Sequence, residues 1–113
     1  MSPRTSNNVR TLALLCAGAA LLLPSPSAAA APHTYAVVID KMKFGPVPAQ
    51  LHPGDSIVWV NHDFLRHTAT AADHSFDIDL PAGAKVKMVV KAKGRINFVC
   101  RYHPGMRGVL LVQ

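Results

Sequence analysis

The sequence predicts an all-β protein, a sandwich of seven or eight short strands in one small domain. Apolar and polar residues alternate with a period of two through most of the chain after residue 33, which is typical of strands with one buried face. Turns marked by Pro and Gly recur at intervals of about ten residues. No segment longer than a turn has the helical periodicity of about 3.6 residues, so strands dominate the prediction.

The first four strands follow from this alternation and from its interruptions. A strand is predicted through Phe44 in TYAVVIDKMKF, and prolines break the connection that follows it. A turn at Pro53 and Gly54 leads into a strand over Ser56–Val60. Further strands are predicted around HTATA and SFDIDL, before a turn over Pro81–Gly83.

The next predicted strand, in AKVKMVVKAKG, has a cationic outer face and ends at Gly94. Its inner face carries the four apolar residues Val86, Met88, Val90 and Ala92. In RINFVC the same alternation places Cys100 on the inward face that Ile96 and Phe98 share. The last segment, GVLLVQ, is nearly continuously apolar, as expected for a strand buried in a sandwich.

The N-terminal segment has the three parts of an export signal. Arg4 and Arg10 form a positive region, Thr11 to Leu23 an apolar region, and Ala28 to Ala31 a cleavage site of small residues. The apolar region is shorter than the ~20 residues that span a bilayer. We therefore expect a signal peptide at residues 1–30, cleaved after Ala30, and an uncleaved anchor is the alternative.

Cleavage would leave one domain at residues 31–113 and would change its cysteine count and charge. Cys16 would leave with the signal, so the domain would keep a single thiol, Cys100. A lone thiol in an exported protein forms an intermolecular disulfide, is buried and inert, or binds a metal. Ten basic and six acidic side chains would remain, a net charge of about +4. This charge favours solubility or docking to an acidic protein surface, and we expect no nucleic-acid partner.

The stretch CRYHPGM concentrates three metal-binding side chains. Cys100, His103 and Met106 follow one another at intervals of three. Positions three apart point to opposite faces of a strand, and in a helix they drift by about 60° at each step. A tight loop brings all three together, and Pro104 and Gly105 are typical turn residues. We therefore expect a loop that wraps a site at one end of the sandwich.

The residue types of this loop indicate copper. Thiolate and thioether are soft ligands, and imidazole suits copper as well as zinc. Structural zinc sites combine Cys and His in sets of four and do not use a thioether. A trigonal copper site with a weak axial Met needs one Cys and two His, so a second His must come from elsewhere. The candidates are His33, His52, His62, His67 and His74.

Residues 34–113 resemble a small bacterial cupredoxin, of the amicyanin, plastocyanin and pseudoazurin group. The matching pieces are PGDSIVWVNHDFLRHTATA, with a His six residues after an Asn, and CRYHPGM with the strand that follows it. The resemblance implies a Greek-key β-sandwich with one copper ion. It also implies that His67 is the upstream ligand, beside Cys100, His103 and Met106.

The resemblance further implies a periplasmic carrier of single electrons that cycles copper between Cu(II) and Cu(I) and is not an enzyme. We expect a monomer with no membrane span in the mature chain and with protein redox partners, including partners with acidic docking surfaces. His103 would be the more exposed ligand and the electron port. Apolar residues would ring it: Pro104, Met106, Phe64 and Leu65. The alternative is a periplasmic copper-binding protein for delivery or detoxification, with His62 and His74 as capture sites.

Two positions depart from the pattern of the family that the chain resembles. Thr68 follows the upstream His, where many relatives have an Asn that ties two ligand loops together. Arg101 follows the Cys, where a small hydroxyl residue is frequent. Because groups around the ligands orient them and tune the metal, we expect both positions to affect the potential, the loop rigidity or the choice of partner.

Overall fold

The computed structural model describes residues 1–3, 13–26 and 30–113. The arginines of the expected signal, Arg4 and Arg10, the first residues of its apolar region and two of its four cleavage-site alanines, Ala28 and Ala29, lie outside the described residues. Residues 13–26 are exposed and form no strand or helix. Within the described ranges, no helix has the length and apolarity needed to cross a membrane.

In the described part of the chain, eight strands form two four-stranded sheets, which confirms the predicted all-β sandwich. In chain order they are β1 (Thr34–Asp40), β2 (Lys43–Phe44), β3 (Ser56–Asn61), β4 (His67–Ala71), β5 (Asp77–Leu80), β6 (Lys85–Val89), β7 (Gly94–Val99) and β8 (Arg107–Val112). The first sheet has the order β2-β1-β3-β6 and the second the order β5-β4-β7-β8. Strands β1 and β3 are parallel, and the other neighbours within the sheets are antiparallel.

The predicted first strand is broken by a hairpin turn at Lys41 and Met42. Both residues have left-handed backbones, with φ of 49° and 61°, and the chain reverses so that Ile39 pairs with Phe44. Two consecutive residues of positive φ are typical of the tightest hairpins, in which Asn and Gly are preferred. The sequence has neither residue type here, and the turn is held instead by the Asp63 carboxylate, which accepts both of its backbone N–H groups.

The predicted strand at AKVKMVVKAKG is shorter in the structure. Strand β6 ends at Val89 because its partner β3 begins at Ser56, the residue that pairs with Val89. Ala92, predicted on the inner face, is exposed beyond the end of the strand. Strand β8 is also less buried than predicted, since it is an edge strand and Leu111 is 42% exposed. Only one face of β8 therefore packs against the core.

An aromatic cluster fills the core between the sheets. Trp59, the only tryptophan of the sequence, is fully buried. The Phe98 ring lies edge-on to Phe44 and Trp59, with centroid distances of 4.8 and 5.2 Å. On its other side Phe98 contacts Gly108 of β8, where the absence of a side chain leaves room for the ring. Phe98 is two residues before Cys100, so this packing fixes the end of β7 from which the CRYHPGM loop starts.

Asp55 ties the start of β1 to the turn before β3. Its carboxylate is 3% exposed and accepts the backbone N–H groups of His33 and His52 at 2.9 and 2.8 Å. These hydrogen bonds lower the pKa of Asp55 below its ordinary value. Both histidines therefore lie near the start of β3, whereas the loop that leads to His67 follows the end of β3. His33 and His52 are thus at the opposite end of this strand from that loop.

Candidate metal centre

Three of the predicted ligand residues converge at one end of the sandwich. His67 begins β4, Cys100 follows β7, and His103 lies in the loop before β8. Cys100 Sγ is 3.7 Å from His67 Nδ1 and 3.7 Å from His103 Nδ1. His67 and Cys100 are fully buried. Of the five candidate histidines for the second imidazole, His67 is the one that this cluster contains within the described chain.

The CRYHPGM loop is closed by its own backbone. The Met106 N–H donates to the His103 carbonyl at 2.8 Å, and the Cys100 N–H donates to the Met106 carbonyl at 3.0 Å. Pro104 and Gly105 form the turn between them, as the sequence predicts. Met106 is 5% exposed and lies in the same core cluster as Cys100. The loop thus holds a thiol, an imidazole and a thioether at the end of the core.

The His67 ring is oriented by Asp63, a residue to which sequence reasoning assigned no role. Asp63 Oδ2 lies 2.8 Å from His67 Nε2. A carboxylate only accepts hydrogen bonds, so Nε2 carries the proton and Nδ1 presents its lone pair towards Cys100. Burial alone would raise the pKa of Asp63. Hydrogen bonds from the Met42 N–H, the His67 ring and the Lys41 N–H outweigh that effect, so the pKa lies below its ordinary value. The spacing of four residues between Asp63 and His67 is the one signal for this contact in the sequence.

The loop between β3 and β4 is shaped by a buried asparagine, Asn61. Its side-chain amide donates to the carbonyls of Leu65 and Leu80 at 2.7 and 2.9 Å. Its side-chain oxygen accepts the Asp63 N–H at 2.9 Å. Asn61 thereby holds the loop that leads to His67 and positions Asp63 for its hydrogen bond to the imidazole.

Of the two departures noted in the sequence, Thr68 contacts the thiol and Arg101 contacts Thr68. The Thr68 N–H points to Cys100 Sγ at 3.4 Å, and the Thr68 hydroxyl accepts the Arg101 N–H at 2.9 Å. Thr68 therefore ties together the two segments that carry His67 and Cys100. The Arg101 side chain lies against Asp77 of β5, with Nε 3.2 Å from a carboxylate oxygen.

The surface around His103 is partly apolar. His103 is half-buried, whereas His67 is enclosed. Phe64 is 89% exposed, and Leu65 and Pro104 are also exposed. Met106 does not belong to this exposed ring because it is buried, and the half-exposed Tyr102 next to His103 was not predicted. His62 and His74, the capture sites of the alternative function, are exposed and lie outside the ligand cluster.

The donor atoms fit copper. The two imidazoles face one thiol with their Nδ1 atoms, which matches the His₂Cys trigonal arrangement. A weak axial Met accompanies such sites, and the buried Met106 lies in the same loop. The set contains none of the multiple oxygen ligands that calcium and magnesium require. The chemistry of the set thus agrees with the prediction from the sequence.

Comparison with known proteins agrees with this chemistry. The family model described as a cupredoxin-like domain matches residues 12–112. A reduced Cu(I) form of an amicyanin variant at pH 4 has 22% sequence identity and a TM-score of 0.62, over 77% of this chain and 87% of that one. A search of curated proteins finds no significant match.

A second kind of structure has the same fold. A purple cupredoxin from Nitrosopumilus maritimus has 18% identity and a TM-score of 0.60, over 69% of this chain and 98% of that one. At such identities the likeness concerns the fold, and the family match covers nearly the whole sequence. Copper is accordingly the cofactor. The chain belongs to the cupredoxin family of small copper proteins that transfer electrons.

Proposed function

We propose that this protein is an exported carrier of single electrons whose copper ion is held by His67, Cys100, His103 and Met106. The observation that carries the proposal is the placement of Cys100 Sγ, buried and 3.7 Å from both imidazole Nδ1 atoms. Bound there, copper supplies a Cu(II)/Cu(I) couple. Cys100 provides the strong thiolate bond, the two histidines complete a trigonal plane, and Met106 is the weak axial ligand.

The protein residues hold this geometry with little freedom to change. The packed Phe98 ring anchors the strand that leads to Cys100, and Asp63 orients His67. Backbone hydrogen bonds hold the loop that carries His103. A site that moves little between two oxidation states exchanges electrons readily. Four protein ligands leave no open position for a substrate, whereas a catalytic metal site keeps one, so the proposed function is not enzymatic.

Electrons would enter and leave through His103, the half-buried ligand. The exposed Tyr102 and Pro104 flank it in the sequence, and the exposed Phe64 and Leu65 lie in the loop that leads to His67. We propose that a redox protein docks on the apolar surface that these residues provide. A modestly basic charge favours partners with acidic surfaces. The proposal places a monomer in the periplasm after removal of residues 1–30. The first strand begins at Thr34, shortly after this boundary, which supports the domain limits of 31–113.

A copper titration of the purified protein tests the proposal. Addition of Cu(II) should give one equivalent of bound copper, an intense visible band from thiolate charge transfer, and a reversible midpoint potential. Colourless copper that exchanges readily and has no reversible couple would instead indicate delivery or detoxification. Absence of stoichiometric binding would overturn both functions. A His62→Asn, His74→Asn double variant should bind copper as the parent does, because neither residue lies in the cluster.

Replacement of Asp63 should weaken the site from outside the ligand set. Asp63→Asn removes the negative charge that faces His67 Nε2. Loss of such a partner typically lowers metal affinity by about 10- to 100-fold, and we expect a decrease of that order. The carboxylate of the parent stabilises Cu(II) more than Cu(I). Its removal should therefore make the midpoint potential more positive. Competition with a chelator and voltammetry measure the two effects.

The matched control for this change is Asp73→Asn. Asp73 is an exposed carboxylate that accepts the Ser75 N–H and has no contact with a proposed ligand. It should leave copper affinity and potential near those of the parent. If the two variants behave alike, Asp63 does not act through His67.

A further inference from the structure

The two residues that depart from the family pattern are joined in one circuit of three hydrogen bonds and an ion pair. The Arg101 N–H donates to Thr68 Oγ1 at 2.9 Å, and Thr68 Oγ1 lies 2.9 Å from Thr70 Oγ1. The Thr70 hydroxyl donates to Asp77 Oδ1 at 2.8 Å. Arg101 Nε lies 3.2 Å from the same Asp77 oxygen. The circuit therefore begins at the backbone of Arg101 and returns to its side chain.

Each hydrogen bond of this circuit has one possible direction. The Asp77 carboxylate only accepts, so the single Thr70 hydroxyl proton is donated to it. Thr70 must then accept from Thr68, whose own oxygen accepts the Arg101 N–H. The three hydrogen bonds therefore run in one direction, from the Arg101 N–H to the Asp77 carboxylate, and the ion pair of Asp77 with the Arg101 side chain closes the circuit. Fully satisfied networks of this kind favour a single well-ordered arrangement.

The inner half of the circuit is enclosed and its outer half faces solvent. Thr68 is fully buried and Thr70 is 8% exposed, whereas Arg101 and Asp77 are 48% and 53% exposed. A surface ion pair alone contributes little to stability. Here the Asp77 carboxylate of the pair also accepts the hydrogen bond from Thr70, at the end of a chain of two buried hydroxyl groups. Asp77 thereby completes the hydrogen bonding of groups that are shielded from water.

The circuit lies where the backbone pairing of the second sheet stops. Strands β4 and β7 pair at Ala71 with Phe98 and at Thr70 with Val99, and their ladder ends there. Continued in the same register, the next positions would set Ala69 opposite Cys100 and Thr68 opposite Arg101. The Thr68 hydroxyl takes the Arg101 N–H at this point. A side chain thus continues the connection between two strands after their backbones have separated to make the site.

We propose that Thr68, Thr70, Asp77 and Arg101 form a positioning network that holds the Cys100 thiolate against His67. This proposal deepens the proposed function and rests on it. Thr68 and Arg101 are the immediate neighbours of His67 and Cys100, so the network fixes the distance between two ligands from outside the ligand set.

The neighbouring pair Arg66 and Asp79 is a matched control within the same structure. Asp79 lies on the same strand, β5, and Arg66 donates to its carboxylate at 2.8 and 2.6 Å. The exposures are similar, 57% and 47%. This pair has no hydrogen bond to a hydroxyl of β4. Asp79 is the strand partner of Thr68 in the β4–β5 ladder, and the charge of Arg101 acts on its carboxylate. Replacement of its side chain therefore removes an ion pair of the same kind and leaves the three hydrogen bonds of the network in place.

The test uses Thr68→Val, Thr68→Ser, Asp77→Ala and Asp79→Ala in the copper-loaded protein. Thr68→Val and Asp77→Ala should each accelerate copper loss to a chelator by about tenfold or more and shift the midpoint potential. Thr68→Ser keeps the hydroxyl and should restore the parent values, and Asp79→Ala should leave them unchanged. If Asp77→Ala matches Asp79→Ala in both measurements, or if Thr68→Val matches the parent, the proposal is wrong.

A second measurement on the metal-free protein separates this proposal from the proposed function. In urea unfolding, Thr68→Val and Asp77→Ala should be non-additive although the two residues do not touch, because Thr70 links them. Thr68→Val and Asp79→Ala should be additive. Additivity in both pairs would overturn the network. Failure of the parent to bind copper would overturn the proposed function. The urea measurement on the metal-free protein would still show whether Thr68 and Asp77 are coupled.

Discussion

Cys100→Ser should remove the intense visible band of the copper-loaded protein completely, together with its reversible redox couple. The band requires charge transfer from a thiolate, and a serine hydroxyl is a harder, protonated donor at neutral pH. Cys100 is fully buried between His67 and His103, so no other described thiol can take its place. Serine has nearly the same volume, and the sandwich should still fold. Absorption spectra and voltammetry after Cu(II) addition measure the loss.

Cys16→Ser is the control for this change. Cys16 is an exposed thiol within the proposed signal peptide, far from the CRYHPGM loop in the sequence. Its replacement should leave the band and the couple as they are in the parent. Persistence of the band in Cys100→Ser would contradict the ligand assignment, since some other group would then be bound to the copper.

Gly108→Ala should destabilise the domain strongly, because its new methyl group would overlap a packed core ring. A Cβ at Gly108 would lie 2.4 Å from Phe98 Cζ and 2.9 Å from Cε1. Phe98 cannot move away freely, because Phe44 and Trp59 pack against its ring at 4.8 and 5.2 Å. Overpacking of a filled core costs about 1–3 kcal/mol, a large fraction of the stability of a small domain. Urea unfolding of the metal-free protein measures this loss.

Gly105→Ala provides the comparison for Gly108→Ala. A Cβ at Gly105 would meet no atom within 4 Å, and its backbone is not among the left-handed glycines. The free energy of unfolding should therefore change little. Equal destabilisation by the two substitutions would mean that contact with Phe98 is not the cause. Because Phe98 precedes Cys100 by two residues, Gly108→Ala should also disturb copper binding, which spectra of the folded fraction can show.

Much of the fold and the site follows from local sequence patterns. The alternation in RINFVC placed Ile96, Phe98 and Cys100 on the buried face, and all three are buried there. The turn residues Pro104 and Gly105 predicted the loop that brings Cys100 and His103 together. These features depend on residues close in sequence, where a period of two and the turn preferences act directly. The choice of His67 among five histidines rested on family resemblance.

Other features depend on which strands are neighbours. The hairpin at Lys41 and Met42 forms although neither residue favours positive φ, because Asp63 accepts both backbone N–H groups from a distant loop. Strand β6 stops at Val89 because β3 begins at Ser56. Neither effect leaves a signal in the segment where it occurs.

The sandwich, the inward thiol and a loop with the chemistry of a copper site were all predictable from residue order. The groups that surround the ligands were not. Asp63 is hydrogen-bonded to His67, Thr68 contacts Cys100, and the Arg101 side chain pairs with Asp77. Alternation and turn chemistry act between neighbours in the chain, whereas an ion pair 24 positions apart and a hydrogen bond 33 positions apart depend on strand pairing and register. The departures at Thr68 and Arg101 were visible in the sequence, and their connection through Thr70 and Asp77 exists only in the folded protein.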